Sequence, residues 1–122
     1  MFKNIEIGGI TVPMLVNGAT PIRYRHVFRK DIITEFQQAQ DDYSKVVNSM
    51  PELAFIMAMQ AKAQDGAIDL NLLNEDKYLE WVEQFGAMDL PMASEQIINL
   101  YLGNNATSSE PKKKVKEKQN EN

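Results

Sequence analysis

The chain has no cysteine, one histidine and one tryptophan, and its longest unbroken apolar run, Leu53 to Met59, is seven residues long. Without thiols there is no disulfide framework and no thiolate metal site, so stability has to come from packing, which suits a reducing compartment. A run that short falls far below the roughly 20 apolar residues that cross a bilayer, so no membrane span is expected. The opening stretch MFKNIEIGGITV alternates apolar and polar residues and lacks the continuous apolar segment of a secretory signal, which leads us to expect a cytoplasmic protein. Nucleophilic catalysis needs a base held beside a hydroxyl, and the only histidine, His26, follows Arg25, a cation that does not favour a base. The sequence contains no G-x-S-x-G, P-loop, G-x-G-x-x-G or H-E-x-x-H pattern. Carboxylate pairs occur at Asp41-Asp42, Asp65 with Asp69, and Glu75-Asp76, but Asp65-Gly66 lacks the alternating oxygen ligands of a calcium loop. They read as helix ends and solvated faces. No catalytic residue, cofactor or metal site is expected.

What remains describes a single folding unit. A length of 122 residues, with 43% hydrophobic and 25% charged residues, leaves room for one domain and one core. The net charge of -4 is unevenly spread. Residues 1–30 carry five bases and one acid, residues 31–103 three bases and thirteen acids, and residues 104–122 five lysines and three glutamates. A basic start, an acidic body and a basic tail result.

Ile5, Ile7, Ile10 and Val12 flank Gly8-Gly9, a pattern that predicts a hairpin over residues 2–7 and 10–16, with Pro13 marking an edge strand or an early end. Thr20-Pro21 predicts a helix start with threonine as the cap. Tyr24, Val27, Phe28, Ile32, Phe36, Ala39, Tyr43 and Val46 then recur at helical spacing. Two organisations satisfy them: one helix, or a short one over 21–29 followed by a longer one over 31–47 with Asp31 as its cap. Asn48, Ser49 and Pro51 punctuate the chain, and PELAFIMAMQAKAQ predicts a helix to residue 64, apolar on more than one face. Asn74 caps a predicted helix in which Tyr78, Trp81, Val82 and Phe85 share a face, closed by Gly86. A last helix is predicted over about 91–102, with Gly103 as its left-handed terminator. The fold class is mainly α: a small N-terminal hairpin and a compact bundle of four to five helices in residues 1–103. Residues 104–122 are expected to be a disordered, polar, lysine-rich tail.

Arg23, Arg25, Arg29 and Lys30, around Tyr24, form a candidate basic docking face. Mixed basic and aromatic residues can grip nucleic acid, but the acidic body would repel a polyanion, so an acidic protein is the better match. Met57, Met59, Met88 and Met92 fall near the predicted helices, and flexible thioethers serve either an irregular core or a surface that accepts varied apolar partners.

The segment NGATPIRYRHVFRKDII, residues 17–33, resembles the opening signature of tail assembly chaperones from long-tailed phages of Gram-positive hosts. The strand pair before it, the W-x-x-Q-F element at Trp81 to Phe85 and the closing IINLYLGN extend the resemblance over about residues 1–104. The resemblance implies a non-virion protein of the infected host's cytoplasm. It would bind the tape measure protein, with the tail tube subunits as further candidates, and be absent from the finished tail. It also implies a second, longer product made by frameshifting, for which Lys112-Lys113-Lys114 could be encoded by a slippery run of A nucleotides. A holder of an aggregation-prone helical chain needs apolar grooves and adaptable side chains, and no active site. Leu53, Phe55, Ile56, Met57, Met59, Ile97, Ile98 and Tyr101 are the candidate groove residues, and the several apolar faces of the 51–64 helix favour a homo-oligomer when no client is present. Two other classes compete: a small helix-turn-helix DNA-binding regulator built on residues 21–47, and a metal-assisted hydrolase built on carboxylates.

Overall fold

The computed structural model describes the backbone of residues 1–107 and the side chains of residues 1–103. The order of elements is β1 (Phe2–Ile7), β2 (Ile10–Leu15), α1 (Thr20–Phe28), α2 (Ile32–Ala39), α3 (Tyr43–Gln64), a 3-10 turn (Leu70–Leu72), α4 (Glu75–Val82), α5 (Asp89–Met92) and α6 (Ser94–Thr107). The hairpin is as expected. Ile7 faces Ile10 and Ile5 faces Val12, and the two-residue turn places Gly8 at φ 58° and Gly9 at φ 83°, conformations that cost glycine little. Ile5, Ile7, Val12 and Met14 are buried on one face, while Pro13, opposite Asn4, looks outward and leaves its missing donor without consequence.

α3 is the axis of the fold. β2, α1, α2, α4, α5 and α6 all pack on it, and from Met50 to Ala61 only Glu52 escapes full burial. A helix that is apolar on every side belongs in the centre, and each buried Leu, Ile, Phe or Met contributes about 1.5–3 kcal/mol relative to exposure.

The helix boundaries differ from expectation in three places. The pattern over 21–47 resolves into separate helices, and the second break falls at residues 40–42, where the Asp42 carboxylate accepts from the Ser44 N–H at 3.0 Å. Those hydrogen bonds, from the Ser44 hydroxyl and N–H, hold the Asp42 carboxyl below the usual carboxylate range. No break occurs at Asn48–Pro51, because α3 runs through Pro51. Proline removes one helical hydrogen bond, and the complete burial of Ser49 and Met50 beside it offsets that loss. The third difference is at the C-terminal side, where Ala93 separates α5 from α6 and α6 continues through Gly103 to Thr107. Gly103 therefore does not terminate the helix, which runs on into the first residues of the expected polar tail. Its remainder, residues 108–122, including the lysine run, lies outside the described residues.

The caps divide in the same way. Asp31 accepts from the N–H groups of Ile33 and Thr34, and Asn74 from that of Lys77, as expected. Thr20 does not cap α1. Its hydroxyl accepts from the Asn17 N–H at 3.0 Å and from the Gln60 side chain at 2.8 Å, while Gln60 also donates to the Leu15 carbonyl. The start of α1 and the end of β2 are thereby tied to α3.

Candidate functional site

Beyond Gln64 the chain turns at Gly66 and runs through the 3-10 turn before α4 lies back against α3. Because the intervening loop carries Ile68, Leu70, Leu72 and Leu73, it contributes apolar side chains where loops ordinarily present polar ones. Between α3, this turn and α4 lies a cavity of about 620 Å³. Phe55, Met59 and Trp81 form its floor, Ile68, Leu72 and Leu73 its apolar wall, and Lys62, Asp69, Lys77, Glu80 and Gln84 its rim. Leu72 is 63% exposed, a large apolar side chain left to water at the mouth. An apolar hollow of this size with a few polar groups at the edge is the usual form of a binding site.

An aromatic relay stiffens the floor. Tyr24 and Phe28 stand 5.3 Å apart, Phe28 and Tyr78 5.2 Å, Tyr78 and Phe55 5.6 Å, Phe55 and Trp81 5.7 Å, and Trp81 and Phe85 5.1 Å. Such contacts add about 0.5–1.5 kcal/mol each beyond burial and tie α1, α3 and α4 together. Burial, with the charge of Glu52 second, pushes the Tyr78 phenol up to about 12.

A polar cluster holds α1, α2 and α3 together. Lys30 bridges to Glu52 at 2.7 Å and stands 3.9 Å from Glu35, which in turn lies 3.8 Å from Lys45. The Tyr24 hydroxyl donates to Glu52 at 2.9 Å, and the fully buried Ser49 hydroxyl donates to Glu35 at 2.5 Å. Burial, reinforced by Glu52, raises the Tyr24 phenol above its ordinary value, so it stays neutral and donates. Ser49 is shut off from solvent on all sides, and the cluster acts as a clasp between helices.

The candidate groove residues separate into core and surface. Leu53, Ile56, Met57 and Ile97 are fully buried, and Tyr101 is buried against Phe36 at 5.6 Å; these five are core and leave no free face for a partner. Phe55 and Met59 are also largely covered but line the cavity. Ile98 is half-buried at a second hollow, of about 400 Å³, with Tyr43, Val46, Pro91 and Met92. Of the four methionines singled out, Met57 and Met59 fill the core, whereas Met88 and Met92 are exposed. Periodicity did not point to Leu72, Leu73 or Trp81 as site residues, although the apolar loop IDLNLL was the available signal.

The basic docking face is reduced by half. Arg25 and Arg29 reach solvent, Arg29 closing α1 in the left-handed region at φ 60°. Lys30 is committed to Glu52 and Glu35, and the Arg23 Nε is buried without a hydrogen-bond partner. His26 is exposed on α1. Among the described residues no group of three or more His, Asp or Glu side chains is placed to hold a metal ion, and no helix is long and apolar enough to cross a membrane. In comparison with known proteins, no family model, no curated protein and no solved structure matches the chain.

Proposed function

We propose that the protein is a tail assembly chaperone of a long-tailed phage, which holds apolar segments of the tape measure protein in the host cytoplasm while the tail is built. The observation that carries this reading is the hollow between α3, the 3-10 turn and α4, with Leu72 exposed at its mouth on a firmly clasped helical body. It offers a client apolar surface lined by an adaptable thioether, Met59, and a rigid aromatic, Trp81. The resemblance of residues 17–33 to the family signature supports the same reading. That segment spans α1 and the start of α2, and its residues Thr20, Tyr24 and Lys30 hold α1 to Gln60 and Glu52 of α3. In this account the signature builds the scaffold and the loop before α4 builds the site.

A helix-turn-helix regulator would use α2 as its reading helix. α2 and its cap, residues 31–40, contain no lysine or arginine, and Glu35 on that helix is buried, which deprives a duplex contact of its phosphate partners. Co-expression of the full chain with the tape measure protein tests the proposal. Soluble complex is expected where the client alone precipitates, and a client that stays insoluble would overturn the reading.

A further inference from the structure

We infer that a second copy of this chain docks on the outward faces of α1 and α4, so that α1 of each copy lies against α4 of the other. The inference goes beyond the chaperone reading and does not rest on it, because the contact needs no client. α1 buries Thr20, Tyr24 and Phe28 against the body, and the opposite side of the helix carries Ile22, Arg25, His26 and Arg29, all exposed. Steps of three and four residues place these four in one stripe. α4 is built the same way. Tyr78 and Trp81 face inward, while Asp76, Leu79, Glu80 and Glu83 form an exposed stripe on the other side. Lys77, the only base of α4, lines the hollow instead, and Glu80 stands where the stripe meets the rim of that hollow. Each stripe thus combines charge of one sign with a large apolar side chain left in water, Ile22 at 59% exposure and Leu79 at 55%.

Neither stripe is neutralised within the described fold, where the ion pairs involve only Lys30, Lys45, Glu35 and Glu52. Yet α1 and α4 are neighbours. Phe28 stands 5.2 Å from Tyr78, and Phe55 of α3 lies 6.3 Å from the first ring and 5.6 Å from the second. This shared contact puts both helices on the same side of α3, with their stripes turned outward and side by side. A two-fold axis between the stripes lays the basic one of each copy on the acidic one of the other, and both contacts close in a single self-complementary interface. An unrelated acidic protein would suit the α1 stripe and be repelled beside it by α4, and an unrelated basic one the reverse. A second copy matches both. Arg29 points the same way, since it ends α1 at φ 60°, a left-handed position where glycine costs least, and its side chain there extends the basic stripe. The apolar faces of α3 take no part, because Leu53, Ile56 and Met57 are covered within the fold.

Sedimentation equilibrium of the full chain at low salt, from micromolar to millimolar concentration, tests the pair. Two short helices and a few exposed charge pairs make a small interface, so a dimer with a Kd on the order of 10–100 µM is expected. Its affinity should fall by about tenfold in about 1 M salt, where the Debye length is roughly 3 Å. An Arg25→Glu, Arg29→Glu variant and a Glu80→Lys, Glu83→Lys variant should each stay monomeric, because each then carries two stripes of like sign. Their equimolar mixture should associate again, since both stripes of one variant meet the opposite sign on the other.

A native chain that is monomeric throughout the range would overturn the inference, including one that binds a synthetic acidic helical peptide while remaining single. Association that persists in either charge-reversed variant would overturn it by placing the contact elsewhere, and mass that grows past two copies would overturn the closed pair. A mixture that stays monomeric while both variants keep the native far-UV spectrum would do the same. Should either reversed variant fail to fold, the milder Arg25→Gln, Arg29→Gln variant is expected to dimerise at least fivefold more weakly, and unchanged dimerisation would overturn the inference.

Discussion

Gly8 at the tip of the hairpin and Asp89 at the head of α5 are in such close approach that a β-carbon on Gly8 would overlap the Asp89 carboxylate. That carboxylate cannot easily move, since its Oδ2 accepts from the Gly86 N–H at 2.7 Å and so fixes the turn between α4 and α5. Gly8 also has φ 58°, so a side chain there meets both strain and collision, whereas Gly9, at φ 83°, opens onto free space. Gly8→Ala is therefore expected to lower stability by about 3 kcal/mol, and Gly9→Ala by about 1 kcal/mol. Urea denaturation checks this, and equal losses for the two variants would contradict the described contact.

The clasp makes a second prediction. Glu35 accepts the Ser49 hydroxyl and lies near both Lys30 and Lys45, so Glu35→Ala leaves a fully buried hydroxyl without its acceptor and should cost about 2 kcal/mol. Glu35→Gln keeps an acceptor and should cost less. Both lysines are about one-third exposed, which limits what their charge contributes. A double-mutant cycle between Glu35→Gln and Lys45→Met should therefore give a coupling below about 1 kcal/mol. A much larger coupling would mean that the ion pair, and not the serine hydrogen bond, holds α2 to α3.

Alkaline pH acts through the tyrosines. Burial is the main cause that raises the phenols of Tyr24, Tyr78 and Tyr101, and Tyr78 is pushed up to about 12 from an ordinary 10.0. A raised folded-state value gives stability that is complete below the unfolded value and is lost as pH rises through the folded one. The melting temperature should thus hold steady to about pH 10 and fall between about pH 10 and 12, with tyrosinate absorbance and loss of helical signal moving together. Ionisation of all the tyrosines by pH 10 in a chain that stays helical would contradict the described packing.

These particulars show which parts of the structure the sequence made legible. The hairpin was readable because β-branched runs and Gly8-Gly9 act locally, and so were Asp31 and Asn74, whose side chains reach N–H groups two or three residues away. The course of the chain through Pro51 was not, because the proline penalty is outweighed by packing against elements distant in sequence. Lys30 looked free for docking because its partner Glu52 is more than five helical turns along the chain. The division of Leu53, Ile56 and Met57 from Phe55 and Met59 was equally hidden, since α3 is apolar all round and period alone cannot say which neighbour covers which side.

Charge substitutions should separate core from site. Leu53→Asp places a charge in the fully buried core and should prevent folding, whereas Leu72→Glu, at a 63% exposed position, should change stability by no more than about 0.5 kcal/mol. Circular dichroism and thermal melting of the two variants decide this. Unfolding of Leu72→Glu would mean that the leucine is structural and not part of an open site.

In the proposed function the hollow bordered by Leu72 holds the client. The most direct measurement is the yield of soluble tape measure protein on co-expression with the native chain, with Leu72→Glu, and with Met92→Glu, which alters a still more exposed apolar residue at the other hollow. Rescue is expected with the native chain and with Met92→Glu, and loss of rescue with Leu72→Glu. Full rescue by Leu72→Glu would contradict it.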